Sequence, residues 1–181
     1  MKAPLSDKTT REIGAIAEEK GCRLLALESA GAGRFQLLRV VLERPDGSAV
    51  TVEDCEAVSR DVSAVLDAVD EIPHRYTLEV SSAGLDRKLY SLEDAARFVG
   101  RRVRIRTEDP VTPRALEAEG VSGRPPALTP ARNLAGMLSS VDGDVLTVVD
   151  EENRKIYNVR FGDIRLARLD FEWPRRERQA R

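Results

Sequence analysis

Aromatic residues are scarce in this chain of 181 residues, which has four Phe, three Tyr and one Trp, 4% of the whole. A surface that holds successive bases on aromatic rings needs several such residues outside the core, so that mode of recognition has little to draw on. Histidine is rarer. His74 is the only one, in a Pro-His-Arg connection suited to exposure or capping rather than general-base work. Cys22 and Cys55, with a single histidine, meet no zinc spacing. In an intracellular chain they are expected as buried thiols and not as a disulfide. No Gly-Lys pair occurs, which excludes a Gly-Lys-Ser/Thr phosphate loop. Ala30-Gly31-Ala32-Gly33 has two glycines of a dinucleotide fingerprint, but a strand follows where that motif needs a helix. The many carboxylates could still pair in space for acid/base chemistry, but no enzyme, cofactor or metal is expected. No apolar run approaches the ~18–20 residues of a membrane span. Residues 1–5 pass into polar residues 6–10 without the apolar core of a secretory signal, and a cytoplasmic location is expected.

The composition is that of a globular protein, 41% hydrophobic and 33% charged, and the length suffices for two small domains. The net charge of −2 hides an asymmetry: residues 1–98 carry 13 Lys/Arg against 18 Asp/Glu, whereas residues 99–181 carry 16 against 13. Such a division points to a partner of mixed or polyanionic character.

Local patterns give the elements. Thr9 and Glu12 form a capping box before Ile13, Ile16 and Ala17, and Gly21 ends a predicted helix over residues 9–20. Strands are predicted at 23–29 and 35–43. Arg39, in mid-strand among apolar neighbours, calls for a partner, either Glu79 on a later strand or a phosphate. Thr51 caps a second helix whose stripe of Cys55, Val58, Val62, Val65, Leu66 and Val69 recurs at steps of three and four. Ser91 caps a short helix that Gly100 ends. The order α-β-β-α-β-α gives a sheet with helices on one face, an architecture used by RNA-binding domains of the KH kind, although their GXXG loop is missing.

The most distinctive segment is 76–89, Tyr-Thr-Leu-Glu-Val-Ser-Ser-Ala-Gly-Leu-Asp-Arg-Lys-Leu. Tyr76, Leu78 and Val80 alternate with Thr77, Glu79 and Ser81, the mark of a half-buried strand. It runs into a corner of Ser81, Ser82, Gly84, Leu85, Asp86 and Arg87. Loop polar groups on a rigid strand are common binding positions; the same hydroxyls and Asp86 also suit a turn that ties down its own backbone. With Glu79, these residues are the candidate protein interface.

From residue 101 short strands recur, at about 101–107, 133–140, 144–150, 154–161 and 163–169, the pattern of a small barrel. In the first, Arg102, Arg104 and Arg106 alternate with Val103 and Ile105, placing guanidinium groups along one face at ~7 Å intervals. They are candidate contacts to nucleic-acid phosphates; the alternative is a solvated outer face. Residues 108–132 form a long Pro-rich loop. The tail at 171–181 is basic and adds Arg175 and Arg176 to the candidate RNA contacts.

With Gly21-Cys-Arg-Leu-Leu-Ala-Leu-Glu28, Asp46-Gly-Ser, Thr51-Val-Glu-Asp-Cys55, Val58-Ser59, Leu66-Asp67 and above all residues 76–87, the chain resembles the RimP family of ribosome maturation factors over about residues 9–170. Ala83 stands where that family usually has proline. The resemblance implies an α+β protein with a KH-like α/β domain at 1–99 and an Sm-like or SH3-like small β-barrel at 100–170. It further implies a non-enzymatic factor for ribosome biogenesis that joins the immature small (30S) subunit. The partners implied are its rRNA and a strongly basic small-subunit ribosomal protein, the one numbered twelve. No small-molecule substrate or membrane is expected, and the protein is expected to be a monomer. A general RNA-binding module and a plain protein adapter remain the competing classes.

Overall fold

Two patterns of side-chain alternation build two units, Met1–Gly84 and Leu85–Arg181. The computed structural model describes residues 5–32, 35–72, 75–84, 87–116 and 126–170. Among these residues no helix is long and apolar enough to cross a membrane.

The first unit begins with helix α1 (Asp7–Glu19), capped by Ser6, whose hydroxyl accepts the Thr9 N–H at 3.2 Å. The expected start at a Thr9–Glu12 box is therefore corrected. Thr9 is buried and donates its hydroxyl to Glu71 at 2.8 Å, and the same carboxylate accepts the Ser6 N–H at 2.8 Å and the Ser6 hydroxyl at 2.7 Å. A carboxylate from beyond the second helix takes the role expected of Glu12, because it satisfies a free donor at the helix entry and two hydroxyls together. Strands β1 (Arg23–Ala32), β2 (Phe35–Glu43) and β3 (Tyr76–Ser82) lie in that order, the first pair antiparallel and the second parallel. A parallel pair needs a crossover, and helix α2 (Val52–Val69) supplies it. Thr51 and Asp54 form a reciprocal capping box at its start.

Period two on the strands and three-to-four on the helices meet in one core. Leu38, Val40 and Leu42 of β2 are buried with Ile13 and Ala17 of α1 and with Val58, Val62 and Leu66 of α2. Each large aliphatic side chain so buried contributes about 1.5–3 kcal/mol. The opposite residues of the strands, Glu28, Arg39 and Glu79, share one cross-strand row on the other face.

The second unit holds helix α3 (Leu92–Ala96) and strands β4 (Arg102–Val111), β5 (Arg114–Ala115), β6 (Ala131–Asp142), β7 (Val145–Asp150), β8 (Lys155–Arg160) and β9 (Ile164–Leu169). The boundary expected at residue 99 falls instead after Gly84. The reason is that residues 87–89 run beside β9: the Leu89 N–H donates to the Ala167 carbonyl and the Leu169 N–H to the Arg87 carbonyl, both at 2.9 Å. Leu89 and Ala95 are then buried in the second core with Val103, Ile105, Leu138 and Val148.

All five strands expected here are present, and the short β5 is added within the Pro-rich loop, of which residues 117–125 lie outside the described residues. The sheet is antiparallel in the order β5-β8-β7-β6-β4-β9. Among the described residues it is not the closed barrel expected. Its terminal strands β5 and β9 are not paired with each other, and β9 carries the bridge from Lys88 to Arg168. Between β6 and β7 the backbones come so close that a Cβ at Gly136 would lie 2.4 Å from the Val149 carbonyl oxygen.

That approach gives a sharp expectation. Gly136→Ala lowers the unfolding free energy by about 1–3 kcal/mol, seen as a lower urea midpoint at unchanged slope; an unchanged midpoint contradicts the packing described. In the first unit, the Ser6 backbone N–H and the Ser6 and Thr9 hydroxyls hold the Glu71 carboxyl below its ordinary value of 4.5. A depressed folded pKa gives stability that is complete above the unfolded carboxyl's pKa and is lost as pH falls through the folded value. Glu71→Gln is thus expected to reduce the melting temperature at pH 7 and to flatten its decline below about pH 4.5, in thermal unfolding between pH 7 and pH 3.

Candidate nucleic-acid interface

Strand β4 sits between β6 and β9, so its alternation is impressed on both neighbours. Val103, Ile105 and Thr107 point inward and are buried, and Arg104 and Arg106 are exposed on the outer side. The register places Ala135, Arg104 and Arg168 in one outer row and Asn133, Arg106 and Leu166 in the next. These six residues, with Ile105 and Leu134, line an open hollow of about 450 Å³. Its apolar part includes Ala135 and Leu166, both half-buried, and its cationic part comes from three arginines.

Arg104 and Arg168 stand directly opposite on neighbouring strands, an arrangement that is unfavourable unless an anion screens it. One is partly supplied. Asp170, its side chain only 9% exposed, is ion-paired with Arg104 Nε at 2.8 Å and accepts Arg102 Nε at 3.3 Å. Of the three arginines expected to form a phosphate ridge, Arg102 is thus drawn to Asp170, Arg104 is shared, and Arg106 makes no ion pair among the described residues. Arg175 and Arg176 lie outside the described residues. Arg168, Asp170, Asn133 and Leu166 were missed from the sequence, because nothing local says which residues of β9 stand beside Arg104.

Of the candidate protein interface, Glu79, Ser81, Ser82 and Gly84 belong to the first unit and Arg87 to the second. Glu79 is half-buried on its strand and held by Arg39, whose Nε and Nη2 donate to its two oxygens at 2.9 and 3.1 Å, with Glu28 at 3.4 Å from Arg39 Nη1. The expected Arg39–Glu79 pair is therefore present, and these carboxylates, Glu79 first, raise the Arg39 pKa. Ser81 is half-buried, and Ser82 and Gly84 are exposed. Gly84 has φ of +72°, a left-handed conformation that suits glycine, and the Ala83 N–H donates to the Leu42 carbonyl at 3.1 Å. Leu85 and Asp86 lie outside the described residues.

Arg87, expected at an exposed corner, is instead only 8% exposed. It is paired through Nη2 with buried Asp94, and its guanidinium lies 4.7 Å from the centre of the Phe98 ring. Burial explains the choice of partner: a guanidinium removed from water needs a carboxylate, and a ring face accepts its plane. Asp94 also accepts the Tyr90 N–H at 3.2 Å.

Cys22 is buried and Cys55 half-buried, both as free thiols, and burial pushes both pKa values up. Neither is poised as a nucleophile. His74 lies outside the described residues, and among those residues no group of three or more His, Cys, Asp or Glu is placed to hold a metal ion.

Residues 12–86 match the family described as RimP N-terminal domain. The match stops one residue short of Arg87, whose partner belongs to the second unit. Asp94→Ala is accordingly expected to cost about 3–5 kcal/mol, because it leaves a buried guanidinium without its carboxylate. Hydrogen exchange should accelerate across residues 87–116 and 126–170 while residues 7–72 keep their protection; equal loss in both units contradicts this assignment.

Proposed function

As a member of the RimP family of ribosome maturation factors through its residues 12–86, the chain, we propose, binds the immature small (30S) ribosomal subunit and assists its assembly without catalysing a reaction. The observation that carries this reading is the conjunction of that domain with the arginine-lined face of the second unit. The charge division supports it. The first unit has 10 Lys/Arg against 15 Asp/Glu and the second 19 against 16, so the first suits a basic small-subunit ribosomal protein and the second rRNA phosphates. In this reading Glu79, Ser82 and Asp86 belong to the protein contact. Arg104 and Arg106 belong to the rRNA contact, with Arg175 and Arg176 beside them. Each unit engages a different class of partner, in the cytoplasm, with the protein acting as a monomer.

The fold is assigned in the same spirit. A three-stranded sheet with helices on one face supports a KH-like first domain, and an antiparallel sheet of short strands supports an Sm-like second domain whose ends are β5 and β9.

Co-sedimentation with isolated small subunits, large subunits and naked small-subunit rRNA, at low and near-physiological salt, tests the reading. Selective binding to small subunits that survives salt is expected. The double variant Arg104→Ala/Arg106→Ala should weaken it several-fold by removing two phosphate contacts. Equal binding to all three that vanishes with salt would replace an assembly factor with a general RNA-binding module. Selective binding indifferent to the double variant would make the protein a plain adapter.

A further inference from the structure

The hollow on the outer face of β4, β6 and β9 has more structure than a phosphate ridge requires. Phosphates need cations alone, and arginines on any exposed strand would serve. Here Arg104, Arg106 and Arg168 stand around two half-buried apolar side chains, Ala135 and Leu166, with the Asn133 amide on the same row as Arg106. We propose that this hollow binds one unstacked nucleotide of single-stranded RNA, with the base over Ala135 and Leu166 and the flanking phosphates on the arginines. The proposal deepens the rRNA contact suggested above and rests on that reading.

Three physical features favour a single strand over a duplex. A duplex offers a protein a convex backbone of phosphates with its bases stacked inside, so it would meet the arginines and leave the apolar part of the hollow empty. A splayed base fills it. The volume of about 450 Å³ falls in the ~300–1,000 Å³ range of sites that enclose small organic groups. Finally, guanidinium planes stack on bases as aromatic rings do, which supplies a platform that a chain with only eight aromatic residues does not otherwise have. Asn133 carries both a donor and an acceptor and can meet the polar edge of a base lying beside it.

Asp170 sets the balance of charge at this site. It occupies Arg102 and one side of Arg104, so phosphates are met by Arg106 and the other side of Arg104. A single-stranded ligand on two such contacts gives a slope of log K against log salt of about −1.4, at about −0.7 per phosphate.

Fluorescein-labelled decauridylate, titrated with the full chain and followed by anisotropy, tests the proposal. Its duplex with decaadenylate and inorganic polyphosphate are the comparison ligands. Decauridylate should bind about five- to a hundredfold more tightly than the duplex, the range expected from one stacked base. Leu166→Ser and Asn133→Ala, each checked for an unchanged urea midpoint, should remove most of that preference while leaving the salt slope intact. Arg106→Ala should leave the preference and lower the slope by about 0.7. A 4-thiouridine substituted into the strand should cross-link within residues 131–137 or 164–168. Equal affinity for decauridylate, duplex and polyphosphate, or cross-links confined to other segments, would overturn the nucleotide site and leave only a phosphate ridge. The two readings fail separately: loss of small-subunit selectivity in sedimentation sinks the assembly role even if decauridylate binds as expected. Loss of single-strand preference sinks the hollow even if the subunit is still bound.

Discussion

The alternation of strand β4 is the constraint from which the second unit follows. Burying Val103, Ile105 and Thr107 on one side compels Arg102, Arg104 and Arg106 onto the other, since a shift of one residue would place three guanidinium groups in the core. The register is thereby fixed by the cost of burying charge, and β6 and β9 must conform on either side. The outer hollow is what remains when two neighbours present small or apolar side chains next to those arginines. Core stability and the chemistry of the exposed face are two results of one periodic pattern.

The first unit resolves its charges differently. Arg39 is flanked by Glu28 and Glu79 in the same row, so two carboxylates share one guanidinium and that row keeps an acidic character. Such partly exposed pairs add little to stability. Their effect is to fix where charge lies, which matters for the rate and selectivity with which an oppositely charged partner is met. Charge is therefore divided along the chain: the first unit is acidic, residues 85–173 carry 15 Lys/Arg against 15 Asp/Glu, and the excess of base lies in residues 174–181.

Much of this was legible in the sequence because it depends on short periods. The stripe of α2, the alternation of β4 and the Thr51 and Ser91 caps are all local, and each is present. The Arg39–Glu79 pair was legible as well, since two mid-strand charges on outward positions have few other places to go. What was not legible depends on contacts between distant residues. Glu71 replaces Glu12 at the start of α1 because the chain after α2 returns to that point. Arg87 leaves the surface because its neighbours are Asp94 and Phe98. Arg168 joins the hollow because β9 pairs with β4, and residues 87–89 run beside β9. A boundary near Gly100 looked natural from local composition, yet Leu89 and Ala95 belong to the core that follows it.

The pairing of residue 104 with residue 168 has a consequence for the order in which the protein acquires its properties during synthesis. Strand β4 can pair with β6 once residue 137 is made, but the cationic hollow has no third wall until β9 emerges. A growing chain therefore exposes scattered arginines, and the hollow they line is assembled only when residues 164–169 have emerged and joined β4.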